Sequence, residues 1–287
     1  MILVTGATGH LGGSIIQHLL KKIPADQIIA LVRDEAKAAT LKAAGVIIRV
    51  GDYHDAASLA AAFADVDKAV LISSNDLNGR FGQHKNVIDA AKAAGVGHLS
   101  YTGVSLQHLD TPASSGLLKD HFETEDYLKD SGIAFTLMRH NLYAEMIPFY
   151  IGKQMLEKGI VFPGGDGRVP FALRDEMGEA NASVLISEGH ENKVYNIAND
   201  TAWSFLDVAD ILSELAGKTI TYTNIDPGSY IASLRAAGLS EHVVQIVAGF
   251  STAMREGDFD LPSGELKDLL GRKPTDLKVY LRQAYFG

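Results

Sequence analysis

The first dozen residues constrain the fold most tightly. An apolar run, Ile2 to Val4, breaks into Thr5-Gly6-Ala7-Thr8-Gly9-His10-Leu11-Gly12, and a segment with Ile15, Ile16, Leu19 and Leu20 at helical spacing follows at once. The glycines stand in G-x-x-G-x-x-G order. Gly6 permits a tight turn, Gly9 lets backbone approach a pyrophosphate, and Gly12 lets the new helix lie close on the strand before it. The first amides of that helix then face the negative charge. A glycine triplet alone says little. Between a strand and a helix, at the head of a βαβ series, it marks a dinucleotide site, with Gly6, Thr8, Gly9, His10, Leu11 and Gly12 as cofactor-contacting positions.

The series is visible downstream. Short Val- and Ile-rich runs at Ile28 to Val32, Val46 to Val50, Ala69 to Ile72, His98 to Tyr101 and Ala134 to Met138 alternate with longer segments at helical spacing. Such contiguous apolar runs belong to strands buried on both faces of a parallel sheet. Gly45, Gly95 and Gly132 each sit between a helical segment and the next strand, a helix-stop signal. After about Arg139 the alternation loosens, broken by Pro148, Pro163-Gly164-Gly165, Pro170 and Pro227-Gly228, with one further strand at Lys193 to Ile197. The expected fold is α/β, a Rossmann-type doubly wound parallel sheet with a smaller α/β C-terminal lobe. The dinucleotide-binding domain spans 1–145 and also receives the strand near 193–198, and 146–287 is mostly a substrate-binding lobe over the carboxyl ends of the strands.

The end of the second strand selects the dinucleotide, because an acid there suits a free ribose and a cation suits a 2′-phosphate. Val32 is followed by Arg33, whose planar fork of donors matches phosphate, so NADP (as NADPH) is the expected cofactor, with Asp34 leaving NAD as the lesser option. Asp52-Tyr53, ending the third strand, is expected beside the adenine. Ser73-Ser74, ending the fourth, is expected along the cofactor towards the nicotinamide ribose.

The motif T-G-A-T-G-x-L-G at Thr5 to Gly12 resembles the short-chain dehydrogenase/reductase superfamily in its extended and atypical branches. Most active members of that superfamily carry Tyr-x-x-x-Lys as a proton relay, and none of the ten tyrosines here has lysine four residues on. Lys119-Asp120-His121-Phe122-Glu123-Thr124-Glu125, the His84 to Val96 helix and Arg139-His140-Asn141-Leu142-Tyr143-Ala144-Glu145 are similar instead to the NmrA-like atypical reductases, in particular those that reduce quinones and triphenylmethane dyes. His121 falls where isoflavone-reductase-like relatives carry a catalytic lysine. An electron-poor acceptor needs less help than a ketone, since the charge arriving with the hydride is delocalised or neutralises a cation. Proximity and orientation then suffice without a tuned acid.

The resemblance implies an NADPH-dependent reductase acting on a planar, electron-poor aromatic substrate. Its rivals are an NADP-sensing regulator without catalysis and an epimerase-like enzyme, the latter weakened by the missing dyad. Thr102, following the fifth strand, is the first candidate to face the nicotinamide. His121 either bonds a cofactor hydroxyl, shuttles a proton or caps its helix. Asn141 and Tyr143, beyond the sixth strand, are expected at the seam of sheet and lobe, where the amide bonds the carboxamide and the phenol stacks on substrate. These four are the catalytic candidates, and Thr102, His121 and Asn141 also count as cofactor contacts. Phe81, Tyr143, Tyr150 and Phe171 are candidates for an aromatic substrate wall, with Met146 and Phe149 behind them. His84 reads as a cap or packing residue. Leu106 to Leu118, with Pro112 and Ser114-Ser115-Gly116, reads as a lid, and Gly164-Gly165-Asp166-Gly167 as a hairpin or loop.

Composition closes other routes. With 35 acidic against 26 basic residues and a formal charge of -9, the bulk charge that holds nucleic acid is missing. The absence of cysteine removes disulfides, thiolate metal sites and a catalytic thiol, and the ten histidines show no metal-binding spacing. Met1 onward reads as a strand rather than an export signal, and no run is apolar enough to span a bilayer, so a cytoplasmic location is expected. A homodimer is allowed, since an apolar helix face meant for a second copy reads like one meant for the core.

Overall fold

The computed structural model describes residues 1–108, 116, 118–152 and 154–287. Strands β1 (Ile2–Val4), β2 (Ile28–Val32), β3 (Ile47–Val50), β4 (Lys68–Ile72), β5 (His98–Val104), β6 (Ala134–His140) and β8 (Lys193–Ile197) form one sheet in the order β3-β2-β1-β4-β5-β6-β8. β7 (Ile160–Val161) and β9 (Tyr222–Thr223) pair separately and in parallel. The pairings from β3 through β6 are parallel throughout. The order reverses between β1 and β4, so the carboxyl end of β1 lies at a topological switch point, where open α/β sheets leave a crevice for ligands.

Two compact units divide the chain, one of Met1–Val104, Asp120–His140 and Arg174–Asn196, the other of Ser105–Lys119, Asn141–Leu173 and Ile197–Gly287. In the first, the strand period of two sorts the side chains by face. Leu3, Ile29, Leu31, Ala69, Leu71, Leu99, Tyr101 and Leu137 pack with Leu59 and Phe63, at and just after helix α3 (Ala56–Ala62), with Val87 and Ile88 of α4 (Arg80–Ala93), and with Leu128 of α5 (Lys119–Asp130). The opposite face meets α1 (His10–Leu20) and α8 (Arg174–Ile186). These two helices approach so closely that a Cβ at Gly178 would lie 2.2 Å from the Ser14 Oγ. That hydroxyl donates to Asp175 Oδ1 at 2.7 Å. The glycine stops expected from sequence hold, with Gly45, Gly95 and Gly132 at φ of +86°, +74° and +83°.

β3 and β4 each start one residue away from expectation, and β5 and β6 run on past their expected ends, β6 to His140. β5 does not end at Tyr101 but continues to Val104, because Thr102, Gly103 and Val104 pair in register with Met138, Arg139 and His140 of β6. Thr102 is therefore a strand residue rather than part of the loop after it.

The second unit is held by rings. Tyr150 and Phe162 have centroids 5.6 Å apart, Phe171 and Phe205 6.3 Å, and Tyr230 meets Phe162 edge-on at 5.5 Å, within the range where aromatic pairs attract, and Phe162 and Phe205 pack closer still at 4.2 Å. Helix α9 (Phe205–Ala216) starts with a full capping box, Ser204 and Asp207 satisfying each other's backbone amides. The Gly164–Gly167 stretch is a loop, as expected, closed by Gly167 N–H donating to the Gly164 carbonyl. Among the described residues no helix is long and apolar enough to cross a membrane.

Candidate functional site

The glycine turn in the first unit has the steric character its spacing implies. Gly6 adopts φ +56°, and Gly9 N–H donates back to the Gly6 carbonyl at 2.9 Å. A Cβ on Gly12 would stand 2.4 Å from that same carbonyl oxygen and 2.9 Å from Ala7 Cα, so only glycine fits. Gly6, Thr8, Gly9 and His10 are exposed, while Leu11 and Gly12 turn inward. No side chain caps the amino end of α1, whose N-cap is Gly9. Its first amides thus lie open beside a tight glycine cradle at the switch point, an arrangement that fits a pyrophosphate.

At the end of β2, Arg33 is exposed with its guanidinium charge felt by the Tyr53 phenol. Tyr53 does not lie free for stacking at its hydroxyl. That group is held between Thr5 Oγ1 and the Ile72 carbonyl, 3.0 Å from the latter, and burial pushes the phenol pKa up. Asp52 is half-buried, taking the His54 N–H on Oδ1 while its own N–H goes to Ser58.

A chain of side-chain acceptors follows at the end of β4. Ile72 N–H donates to Thr5 Oγ1 at 2.9 Å, Ser73 N–H to Thr102 Oγ1 at 3.0 Å, and Ser74 N–H to His84 Nε2 at 3.0 Å. Thr102, expected to face the nicotinamide, is buried and spends its hydroxyl oxygen on this amide. Ser73 Oγ lies near the Tyr101 phenol yet completes no hydrogen bond, a buried polar atom left for something else. Ser74 Oγ accepts from Asp76 N–H.

His121 is buried rather than capping, with Nδ1 2.8 Å from the Tyr101 hydroxyl. Burial first, then the Arg80, His84 and His140 charges, hold its pKa well below the ordinary histidine value. Arg80 is itself buried, with Nε 3.3 Å from an Asp120 oxygen. Phe81 is half-buried and meets Tyr127 edge-on at 5.9 Å.

In the second unit, Asn141 is 3 % exposed with both ends of its amide engaged, Nδ2 donating to the Phe259 carbonyl and Oδ1 accepting from Leu142 N–H. Tyr143 is half-buried, its backbone bridged to Ala172. Tyr150 and Phe171, expected in a substrate wall, are 6 % and 1 % exposed and belong to the aromatic core described above. The surfaces of these rings are already occupied by protein. Pro112, Ser114 and Ser115 of the expected lid lie outside the described residues. The same unit contains an open cavity of about 460 Å³ lined by Gly165, Arg168, Asn224, Arg255 and Asp260, and it takes in none of the expected site residues.

Thr5, Thr124 and Tyr101 enter the network although sequence reasoning assigned them no role. The one available signal was chemical: Thr5 is a hydroxyl residue placed between a buried strand and the first glycine. Among the described residues, no group of histidine and carboxylate side chains is placed to hold a metal ion.

Comparison with known proteins gives this arrangement a lineage. Quinone oxidoreductase 2 of Escherichia coli (strain K12) is 41 % identical over 280 residues, covering 96 % of each chain. An NAD(P)H azoreductase of Xenophilus azovorans is 31 % identical over 84 % of this chain and 82 % of that one. The crystal structure of the E. coli NADPH-dependent quinone oxidoreductase complexed with NADPH superposes with a TM-score of 0.94 at 38 % identity, covering 99 % of this chain and 100 % of that one. Citrobacter sp. triphenylmethane reductase complexed with NADP(H) superposes at 0.91 and 39 % identity, with the same coverage. The family model described as NmrA-like matches residues 1–281, and the chain belongs to the NmrA-like family.

Proposed function

We propose that this chain is an NADPH-dependent reductase that passes a hydride to a planar, electron-poor aromatic acceptor, a quinone or a cationic triphenylmethane dye. The observation that carries the reading is the open amino end of α1 beside the Gly6-Gly9-Gly12 cradle, with the exposed Arg33 at the end of β2. Relatives that reduce quinones, azo compounds and triphenylmethane dyes support the choice of acceptor. When bound, reduced dinucleotide supplies two electrons and one proton as hydride. A quinone then needs one further proton to become a hydroquinone, and a cationic dye needs none.

In this reading Gly6, Thr8, Gly9, His10, Leu11 and Gly12 hold pyrophosphate and Arg33 pairs with the 2′-phosphate. Asp52 and Tyr53 border the adenine, and Ser73 and Ser74 border the ribose and nicotinamide. Thr102 and His121 work from behind, one fixing the Ser73 amide and the other the Tyr101 phenol. Asn141 acts by shaping the loop after β6, and Tyr143, Phe81 and Phe149 remain the aromatic groups with accessible surface for a flat acceptor.

The test follows NADPH absorbance with menadione and, separately, the loss of colour of malachite green. Turnover of at least one acceptor is the expected result. Tight NADPH binding without oxidation by either would overturn the reductase reading and leave a cofactor-binding regulator.

A further inference from the structure

We infer that His84 is a positioning residue for the proposed reaction, locking the backbone at Ser74 and thereby the β4 edge of the dinucleotide site. The inference rests on the reading above, in that it takes the end of β4 to belong to that site. Its starting point is the three consecutive amides that leave β4, each met by a side-chain acceptor at 2.9–3.0 Å. Two of those acceptors come from the strands on either side of β4, Thr5 directly after the end of β1 and Thr102 within β5. The third comes from α4, a helix that begins after the turn it fastens.

The proton positions on His84 follow from its neighbours. Nε2 accepts the Ser74 N–H, so the ring proton sits on Nδ1, 2.8 Å from Thr124 Oγ1. Thr124 in turn donates to the Asp120 carbonyl at 2.6 Å. The relay therefore has one direction, from the Ser74 amide through imidazole and hydroxyl to the first turn of α5, the helix that carries His121. An imidazolium would present donors on both nitrogens and repel the Ser74 amide. The ring is 0 % exposed, and burial, followed by the Arg80 charge, draws its pKa down to about 3, which keeps the acceptor available. A pure packing role against Tyr101, whose centroid lies 5.5 Å away, asks only for a ring and uses neither nitrogen.

Two near-isosteric variants separate these roles. In His84→Gln the amide oxygen falls where Nε2 stood and keeps the Ser74 bond. In His84→Asn the amide nitrogen falls where Nδ1 stood and keeps only the Thr124 bond. NADPH dissociation constants, KM and kcat with menadione, and melting temperatures are measured for wild type, both variants and His84→Phe. The expected result is NADPH affinity within about threefold of wild type for His84→Gln and weaker by about tenfold for His84→Asn and His84→Phe, with kcat less affected than KM. Asn and Gln variants that bind NADPH equally, or that lose affinity only in step with melting temperature, would overturn the inference. Failure of wild type to bind NADPH at all would instead overturn the functional reading. Should the variants not fold, the wild-type imidazole ¹⁵N shifts decide the matter. Unprotonated Nε2 and protonated Nδ1 from pH 5 to 8 are expected, and the opposite tautomer, or titration in that range, refutes the lock.

Discussion

The Tyr101 hydroxyl and the His121 Nδ1 stand 2.8 Å apart with both rings buried. The pair has the appearance of an acid–base dyad, but its surroundings drive the two groups apart in the unhelpful direction. Burial pushes the Tyr101 phenol up, and burial with the nearby Arg80 charge pushes the His121 imidazolium down. Both partners stay neutral at any working pH. The bond therefore fixes geometry and stores no proton, in keeping with a chain that lacks Tyr-x-x-x-Lys and with the electron-poor acceptor proposed above.

It follows that kcat with menadione should be flat between roughly pH 6 and pH 8, since no group of this pair titrates there. Tyr101→Phe should leave kcat within about threefold while lowering stability by about 1–3 kcal/mol, because the buried His121 nitrogen loses its partner. The pH–rate profile of both proteins checks this. A bell whose limb vanishes in Tyr101→Phe would mean that the pair does move protons.

Gly12 and Gly13 are neighbours in the same helix and should respond to alanine with opposite signs. At Gly12 the new Cβ meets the Gly6 carbonyl at 2.4 Å, so the cradle must open. NADPH affinity should fall more than tenfold and the melting temperature should drop. At Gly13 the nearest atom is 3.8 Å away, an ordinary contact, and the exchange should stabilise the helix by about 0.5–1 kcal/mol with binding unchanged. Melting curves and NADPH titrations of the two variants give the comparison, and similar behaviour of both would refute the steric argument.

Buried histidines, His84, His121 and His140 foremost, make the first unit acid-sensitive. Burial lowers His84 and His140 to about 3 each and, with the Arg80 charge next, holds His121 well below its ordinary value. Their folded pKa values are depressed below the unfolded value near 6.5, so the unfolded chain binds more protons once the pH falls below that point. The stability they confer is complete above about pH 6.5 and is lost as pH falls towards the folded values, each ring contributing up to about 1.4 kcal/mol per pH unit. Denaturation midpoints at pH 7, 6 and 5 should decline with increasing slope, and His140→Asn should make that slope shallower. Equal slopes would argue against the burial effect.

The parts legible in the sequence are those where sterics or solvent exclusion act locally. The glycine turn is fixed by close approach within seven residues, Gly6 to Gly12, and the strands by unbroken apolar runs. Legibility fails where partners are distant. Thr102 looked like a loop residue because Thr-Gly-Val carries no strong strand signal, and only its register with Met138 shows otherwise. His84 gave no local sign of its role, since Ser74 and Thr124 lie 10 and 40 residues away. Tyr150 and Phe171 show the limit of counting rings, for an aromatic wall and an aromatic core have the same composition.

Glu125, 1 % exposed, receives Arg139 through Nε at 2.9 Å and Nη2 at 2.6 Å, a forked grip, and Gly103 makes room for it, since a Cβ there would sit 3.0 Å from the carboxylate. Arg139→Met should therefore destabilise by about 3 kcal/mol, by leaving the buried carboxylate with only the distant Lys129 Nζ at 4.0 Å, whereas Arg139→Met with Glu125→Leu should recover most of that loss. Urea midpoints of the single and double variants test it. A double variant no better than the single would show that the pair contributes more than the removal of an uncompensated charge.

In the reading proposed above, Arg33 carries the cofactor preference. It is exposed at the end of β2 and follows a buried valine, so its backbone is anchored while its fork remains free to turn. A guanidinium meeting a dianionic 2′-phosphate gains charge-assisted bonds that a ribose hydroxyl cannot repay in kind. Arg33→Ala should weaken NADPH by about tenfold or more while changing NADH by less than about threefold. Arg33→Lys should fall between, since a point charge keeps the attraction but loses the two-pronged geometry. Dissociation constants for both nucleotides, taken at two salt concentrations, decide the matter: the NADPH advantage should shrink at high salt in wild type and be absent in Arg33→Ala. Equal loss of both nucleotides would remove Arg33 from the 2′-phosphate and make the adjacent Asp34, with its preference for a free ribose, the residue to examine.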